Sequence, residues 1–232
     1  MKQLLKHVEV KGVLRAVTGV RIGAGGASIE IGGLDNPILR HPETRVPYIP
    51  GSSLKGKLRS LLEVSGYKSG GRQAPQSQGG PCTCNQCVVC WLFGCGDARK
   101  TSEPTRLIFR DCPILKTDES RMKELLKEGV FYSEVKAEVV MDRAKGTVAG
   151  AGPRNMDRIM AGTGLDFRLT VRVLQGDDEA QMKAAILHAF RLLEKEGLGG
   201  SVSRGYGQVR FENLTWDGVD VDRELHTEPA RV

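Results

Sequence analysis

Two stretches of the chain carry a single apolar stripe at helical spacing, and a one-striped helix is stable only against a surface that covers the stripe. In SSLKGKLRSLLEV, Leu54, Leu58, Leu61 and Leu62 recur at offsets 0, 4, 7 and 8, which is one face at 3.6 residues per turn. In DDEAQMKAAILHAFRLLEKEG, Met182, Ile186, Phe190 and Leu193 form the stripe, acidic residues open the helix and Gly197 stops it. His188 points away from that stripe and reads as a surface histidine. Strands must supply the cover. Residues 6–17 alternate Val/Leu with polar neighbours, RLIFRDCPIL has strand composition, and a last strand follows GLGGSVSRGYG. DESRMKELLKEG adds a short helix stopped by Gly129. The order strand, helix, strands, helix, strand predicts an α+β sheet with helices on one face, for which a ferredoxin-like split βαβ core is the natural candidate. At 232 residues the chain suits one domain, 1–232, that buries a core without staples.

Charge is unevenly divided along this domain. Residues 1–72 hold 12 Lys/Arg against 5 Asp/Glu, giving +7, while the other 160 hold 22 against 23, giving −1. That asymmetry points to a localised polyanion site in the N-terminal third, with a solvated basic face as the alternative. Aromatics are 5% of residues, which argues against readout by base stacking and for phosphate contacts. No apolar run of membrane-spanning length and no signal-peptide core appears, so a soluble, cytoplasmic protein without a membrane partner is expected, its cysteines reduced or metal-bound.

Three segments offer groups to a phosphate backbone. Ser52 or Ser53 is the expected N-cap of the first helix, and Lys55 and Arg59 fall together beside its leucine stripe with Lys57 on the other flank. Free amides, hydroxyls and cations at a helix start suit phosphate, as they also suit an ordinary solvated helix. GLGGSVSRGYG offers amides and one cation, Arg204; no Gly-Lys-Ser/Thr follows at Walker spacing, so it is a flexible turn or a phosphate cradle. Residues 133–164 carry charges and scattered glycines with few large apolar groups, and read as a protruding element.

Two further sites carry chemistry. CTCNQCVVCWLFGC places Cys82, Cys84, Cys87, Cys90 and Cys95 within 14 residues, after the low-complexity loop 66–81, while Cys112 stands alone. Thiolates so spaced hold a soft metal, which stabilises a loop that has no core of its own. Structural Zn²⁺ is favoured over an iron-sulfur cluster, because Gly96 stands where the iron-sulfur run has proline. In GGLDNPILR, Asp35 lies between a glycine pair and an Asn-Pro step. A carboxylate beside a polyanion site either brings a divalent ion or positions a ribose hydroxyl; a turn ahead of Pro37 is the alternative.

IGGLDNPILRHPETRVPYIPGSSLKGKLRSLLE, WLFG, RLIFRD, SEVKAEV with MDR, GPRNMDR and GLGGSVSRGYGQV resemble, in that order and over nearly the whole chain, the backbone RAMP subunit of type III-A CRISPR effector complexes, the Csm assemblies. The resemblance implies an RRM-like palm with a protruding thumb β-hairpin at 133–164 and a zinc-binding insertion within 66–100. It implies CRISPR RNA, complementary target RNA, other Csm subunits and copies of itself in a filament as partners. Asp35 matches the acid of a target cleavage that uses Mg²⁺ or another divalent ion. Ser52, Ser53, Lys55 and Arg59 match a guide-contacting helix start, Gly200, Arg204 and Gly205 a guide-binding loop, and Arg143 and Arg154 thumb positions. Arg21 stands where many relatives have histidine, and arginine can hold phosphate but exchanges no proton. Cys82, Cys84, Cys87 and Cys90 match the zinc ligands, with Cys95 in reserve. The alternative is an architectural guide-binding subunit that does not cleave, with Asp35 a turn residue.

Overall fold

The computed structural model describes residues 2–24, 37–69, 72–73, 79–100, 103–127, 133–149 and 152–227. In chain order these form β1 (Leu4–Ala16), β2 (Tyr48–Ile49), α1 (Gly51–Val64), β3 (Lys68–Ser69), β4 (Arg72–Gln73), α2 (Val88–Phe93), β5 (Leu107–Phe109), β6 (Cys112–Pro113) and α3 (Lys116–Lys127). Then follow β7 (Ser133–Glu138), β8 (Met141–Asp142), β9 (Thr147–Val148), β10 (Arg154–Ile159), β11 (Gly164–Leu174), α4 (Glu179–Glu196), β12 (Val209–Trp216), β13 (Val219–Asp220) and α5 (Asp222–His226). Asp35 and Gly129 lie outside the described residues, as does part of the 66–81 loop.

The fold is mixed α/β around an antiparallel sheet of order β13-β12-β1-β11-β5. β1 sits centrally because both of its edges are paired, from Leu4 opposite Leu174 on one side and from Val10 opposite Trp216 on the other. Its alternation sends Val8, Val10, Leu14 and Ala16 to the covered face, all fully buried. The two predicted stripes meet that face: Leu54, Leu58, Leu61 and Leu62 of α1 and Met182, Ile186, Phe190 and Leu193 of α4 are all buried. Phe167 of β11, Phe190 of α4 and Phe211 of β12 pack ring to ring at 4.4–5.4 Å, joining helix to sheet.

Two local expectations need correction. α1 is capped by neither Ser52 nor Ser53. Its N-cap is Pro50, in extended conformation, and the serines fall in the first turn. The acceptor that a serine hydroxyl would have supplied comes from 60 residues away, Asp111 Oδ1 taking the Gly51 amide at 2.8 Å. Only glycine permits this approach, since a Cβ on residue 51 would lie 2.9 Å from the Arg110 carbonyl oxygen. His188 is not a surface residue either. It is half-buried, its ring 5.0 Å from that of Tyr67, and burial, then the Arg191 and Lys195 charges, push its pKa below the usual value. α4 itself starts as expected, Asp178 accepting the Gln181 amide at 3.0 Å. Among the described residues no helix is long and apolar enough to cross a membrane.

Candidate nucleic-acid interface

Several outward charges on the open face of the sheet are already paired: Lys11 with Glu9, Arg168 with Asp166 at 2.8 Å and Arg15 with Glu212 at 2.9 Å. Phe109 and Phe211 point to the helical side, and no described residue of this five-stranded sheet presents an aromatic ring outward for a base to stack on.

A better surface forms where the glycine-rich turn after α4 meets the segment after β1. Gly200 donates its amide to the Arg21 carbonyl at 2.9 Å, Gly207 donates to the Gly19 carbonyl at 2.9 Å, and Thr18 and Gln208 are bonded to each other. Gly199 is required by space as well as by dihedral angle. Gly199 has φ +85° and a Cβ there would stand 2.2 Å from the Arg21 carbonyl oxygen, whereas Gly205, also at +85°, faces open space. Gly199→Ala should therefore cost more than about 2 kcal/mol and lower the midpoint of thermal unfolding by at least about 4 °C, while Gly205→Ala should lower it by clearly less. Circular dichroism melting checks the difference.

The turn brings Arg21, Gly200, Arg204 and Gly205 together. Arg21 has a buried Nε without a hydrogen-bond partner. Arg204 donates to Ser201 Oγ at 2.6 Å and pairs with Glu138 of β7 at 3.0 Å, its side chain still 57% exposed. Ser52, Ser53 and Lys55 form a second group on the first turn of α1. Lys55 makes no ion pair among the described residues, and burial followed by the charge of Arg59 lowers its pKa.

Arg59 is placed differently from the other cations. Its Nε meets Glu63 Oε1 at 2.9 Å and its Nη2 donates to the Cys82 carbonyl at 3.0 Å, while the same Glu63 oxygen accepts the Cys82 amide at 3.0 Å. The pair thus brackets the cysteine segment against α1. α2 reinforces the seat, with Val88, Val89, Leu92 and Phe93 buried. Within that seat the sulfurs of Cys82, Cys84, Cys87 and Cys90 all lie within 4.8 Å of one another, a group that can hold a metal ion. Cys95 is not part of it. Hydrogen bonds from Cys90 lower the Cys87 pKa to about 5, whereas burial raises that of Cys82 to about 11. Cys112 is a buried core thiol, pushed up by desolvation to about 12.

β7 and β10 form an antiparallel hairpin, with β8 and β9 pairing nearer its tip. Arg154 opens β10 opposite Glu138, and Arg143 sits exposed in the turn between β8 and β9. The register puts Glu134, Lys136, Glu138, Met156 and Arg158 on one face of the hairpin, and Ser133, Val135, Asp157 and Ile159 on the other. The first face meets the glycine turn: Lys136 Nζ and Arg158 Cζ stand 4.7 and 4.8 Å from the centre of the buried Tyr206 ring. The second face meets residues 37–40, where Asp157 Oδ2 accepts from the Ile38 amide at 3.2 Å and from Arg40 at 3.1 Å. The foot of the hairpin is gripped from both sides. Sequence reasoning did not single out Glu138, Asp157 or Tyr206; the one available signal was a charged or aromatic residue inside segments already marked by their glycines.

A family model described as RAMPs, the RAMP superfamily, matches residues 13–210 of this chain. The chain is 40% identical over 223 residues to the protein named CRISPR system Cms endoribonuclease Csm3 of Methanothermobacter thermautotrophicus, covering 90% of this chain and 85% of the relative. It is 37% identical over 209 residues to the protein of that name from Methanocaldococcus jannaschii, covering 89% and 79%. It also resembles a chain in the crystal structure of the Csm3-Csm4 subcomplex of the type III-A CRISPR-Cas interference complex, at a TM-score of 0.57 and 26% identity, over 92% of this chain and 80% of the other.

Proposed function

The chain belongs to the RAMP superfamily, and from that membership we propose that it is the guide-RNA-binding backbone subunit of a type III-A CRISPR interference complex and the endoribonuclease that cuts complementary target RNA within it. The observation that carries this reading is the match over 90% of the chain to a relative named as a CRISPR endoribonuclease. Its partners are CRISPR RNA, target RNA, other Csm subunits and further copies of itself along the guide.

The architecture supports the assignment of parts. The order β12-β1-β11-β5, with α1 and α4 each connecting two of these strands, is that of a split βαβ unit, and it supports an RRM-like, ferredoxin-like palm. The β7–β10 hairpin is the thumb. In the cysteine segment the separations Cys82–Cys87 and Cys84–Cys90 are both 3.9 Å, close to the ~3.8 Å between thiolates of a tetrahedral site with Zn–S bonds of about 2.3 Å. The four residues fit a structural Zn²⁺ ion, which would stabilise the segment that Arg59 and Glu63 seat on α1.

Guide phosphates lie along Ser52, Ser53 and Lys55 and across Arg21, Gly200, Arg204 and Gly205, with Arg143 and Arg154 reaching the duplex from the thumb. Lys55→Ala should weaken guide binding and reduce the slope of log affinity against log salt by about one. Arg59→Ala should leave that slope nearly unchanged, because its guanidinium serves the cysteine segment. Filter binding at several salt concentrations separates the two.

For cleavage, a thumb that splays one target nucleotide out of the duplex allows in-line attack on the adjacent phosphate. The O2′–P bond forms and the P–O5′ bond breaks; the 2′-hydroxyl gives up its proton and the departing 5′ oxygen gains one. Asp35 orients that hydroxyl or, as a hard oxygen donor, helps hold Mg²⁺ or another divalent ion, which when bound offsets charge on the phosphoryl oxygens. Arg21 holds a phosphate without taking part in proton transfer. Incubating the reconstituted complex with labelled complementary RNA tests the whole reading: evenly spaced products that disappear with EDTA are expected, and intact RNA without chelator overturns it.

A further inference from the structure

We propose that Glu138 competes with RNA for Arg204: its carboxylate holds the guanidinium in the place that a guide phosphate takes, so a strand binds the glycine turn only by drawing Arg204 off the hairpin. The inference rests on the reading of Arg204 as a guide contact, and it adds to that reading an acid that sets how tightly the strand is held.

Glu138 closes β7, and Arg204 ends the short helical turn of residues 202–204. Arg204 Nη1 meets Glu138 Oε2 at 3.0 Å, while Nη2 donates to Ser201 Oγ at 2.6 Å. Both amino nitrogens of the guanidinium are thus engaged, and these are the groups that grip a phosphate in two parallel bonds. The two partners differ in freedom. The Arg204 side chain is 57% exposed and that of Glu138 only 16%. Glu138 is also fixed in register, opposite Arg154 on a paired strand. A long, exposed side chain on a turn can swing away from the pair; a carboxylate on a paired strand, set in the crevice between hairpin and turn, cannot follow it.

Glu138 stands among cations. Lys136 Nζ lies 3.9 Å from its Oε1, Arg154 faces it across the hairpin, and Lys136 and Arg158 stand over the buried Tyr206 ring beside it. A phosphate brought to Arg204 while the pair is intact stands next to a like charge, which is unfavourable where water is partly excluded. Once Arg204 has moved to the phosphate, Glu138 draws a cation from solution, and that uptake offsets the counterion that the RNA releases. Both effects weaken binding, and both vanish with the charge of Glu138. A pair that served stability alone could lose that charge without any change in how RNA is held.

Filter binding of a labelled single-stranded RNA to the full chain, at several salt concentrations, tests this with Glu138→Gln, Arg204→Ala and the double variant. Glu138→Gln should tighten binding about three- to tenfold and steepen the fall of log affinity with log salt by about 0.7. In the Arg204→Ala background the same substitution should change affinity by less than about twofold, since no guanidinium is left to release. Glu138→Ala should act as Glu138→Gln does, and it carries the test if the glutamine variant shows no cooperative melting by circular dichroism. Unchanged or weaker binding by the Glu138 variants overturns the proposal, as does an equal gain with and without Arg204. Binding by Arg204→Ala as tight as that of the parent overturns it together with the reading of Arg204, whereas weakened binding by Arg204→Ala beside unchanged binding by Glu138→Gln removes the role of Glu138 alone.

Discussion

Replacing Asp35 with alanine in the assembled complex should slow target cleavage by at least about a hundredfold while target RNA binds with unchanged affinity. On the proposed reading, affinity comes from base pairing with the guide and from cations on the palm and thumb, and the substitution removes none of these. Rate is different. A 2′-hydroxyl is a weak nucleophile unless it is oriented, and the phosphoryl charge must be offset, so one lost oxygen donor acts on the transition state and barely on the bound state. Asp35→Asn separates the contributions: it keeps the shape and an oxygen that can orient a hydroxyl but removes the negative charge that a divalent ion needs. Cleavage by Asp35→Asn close to wild type would assign Asp35 to orientation only. An architectural subunit predicts no change in any variant, and gel analysis of labelled target decides.

Removing the metal should have the largest effect on stability. Cys90→Ser takes one of four clustered thiols from a segment that is also anchored by α2 and by the Arg59–Glu63 bracket. A loss on the order of 4–5 kcal/mol belongs to the exceptional class associated with metal loss; at about 2–4 °C per kcal/mol for a domain of this size, the unfolding midpoint should fall by about 8–20 °C. Metal analysis should give one zinc per chain in the parent protein and a colourless solution, and substoichiometric zinc in the variant. Visible absorption from bound iron would replace zinc by an iron-sulfur cluster in this account, and an unchanged midpoint with no metal in either protein would remove the site.

The parts of the fold that local periodicity determines were legible in the sequence. α1 and α4 follow from stripes four residues apart, and four cysteines in nine residues mark their own cluster. Features set by partners distant in the chain were not legible. Asp111 replaces the expected serine cap of α1 because the fold brings a carboxylate across 60 residues. His188 lies off the main stripe of α4, yet Tyr67 packs on it from beyond α1. Arg59 looks like a free cation on a helical wheel, and only the docking of Cys82 shows how it is used. Asp157 stands in a charged strand and bonds a segment 119 residues earlier, which no local pattern encodes. Asp35, the acid proposed for cleavage, is marked only by its setting between Gly33 and Pro37 and by family resemblance; periodicity says nothing about it.

Among the described residues the hairpin is held along its lower part, by Tyr206 and Arg204 on one face and by Ile38 and Arg40 on the other, while the turn of residues 143–146 is largely exposed. Such a beam is anchored at one end and free at the other. Residues can be gained or lost near the free end without disturbing the anchorage, because few buried contacts or backbone bonds to the palm depend on its length. Its reach from the palm is therefore an adjustable dimension, whereas the spacing across the anchorage is fixed to within a residue by the pairing of β7 with β10.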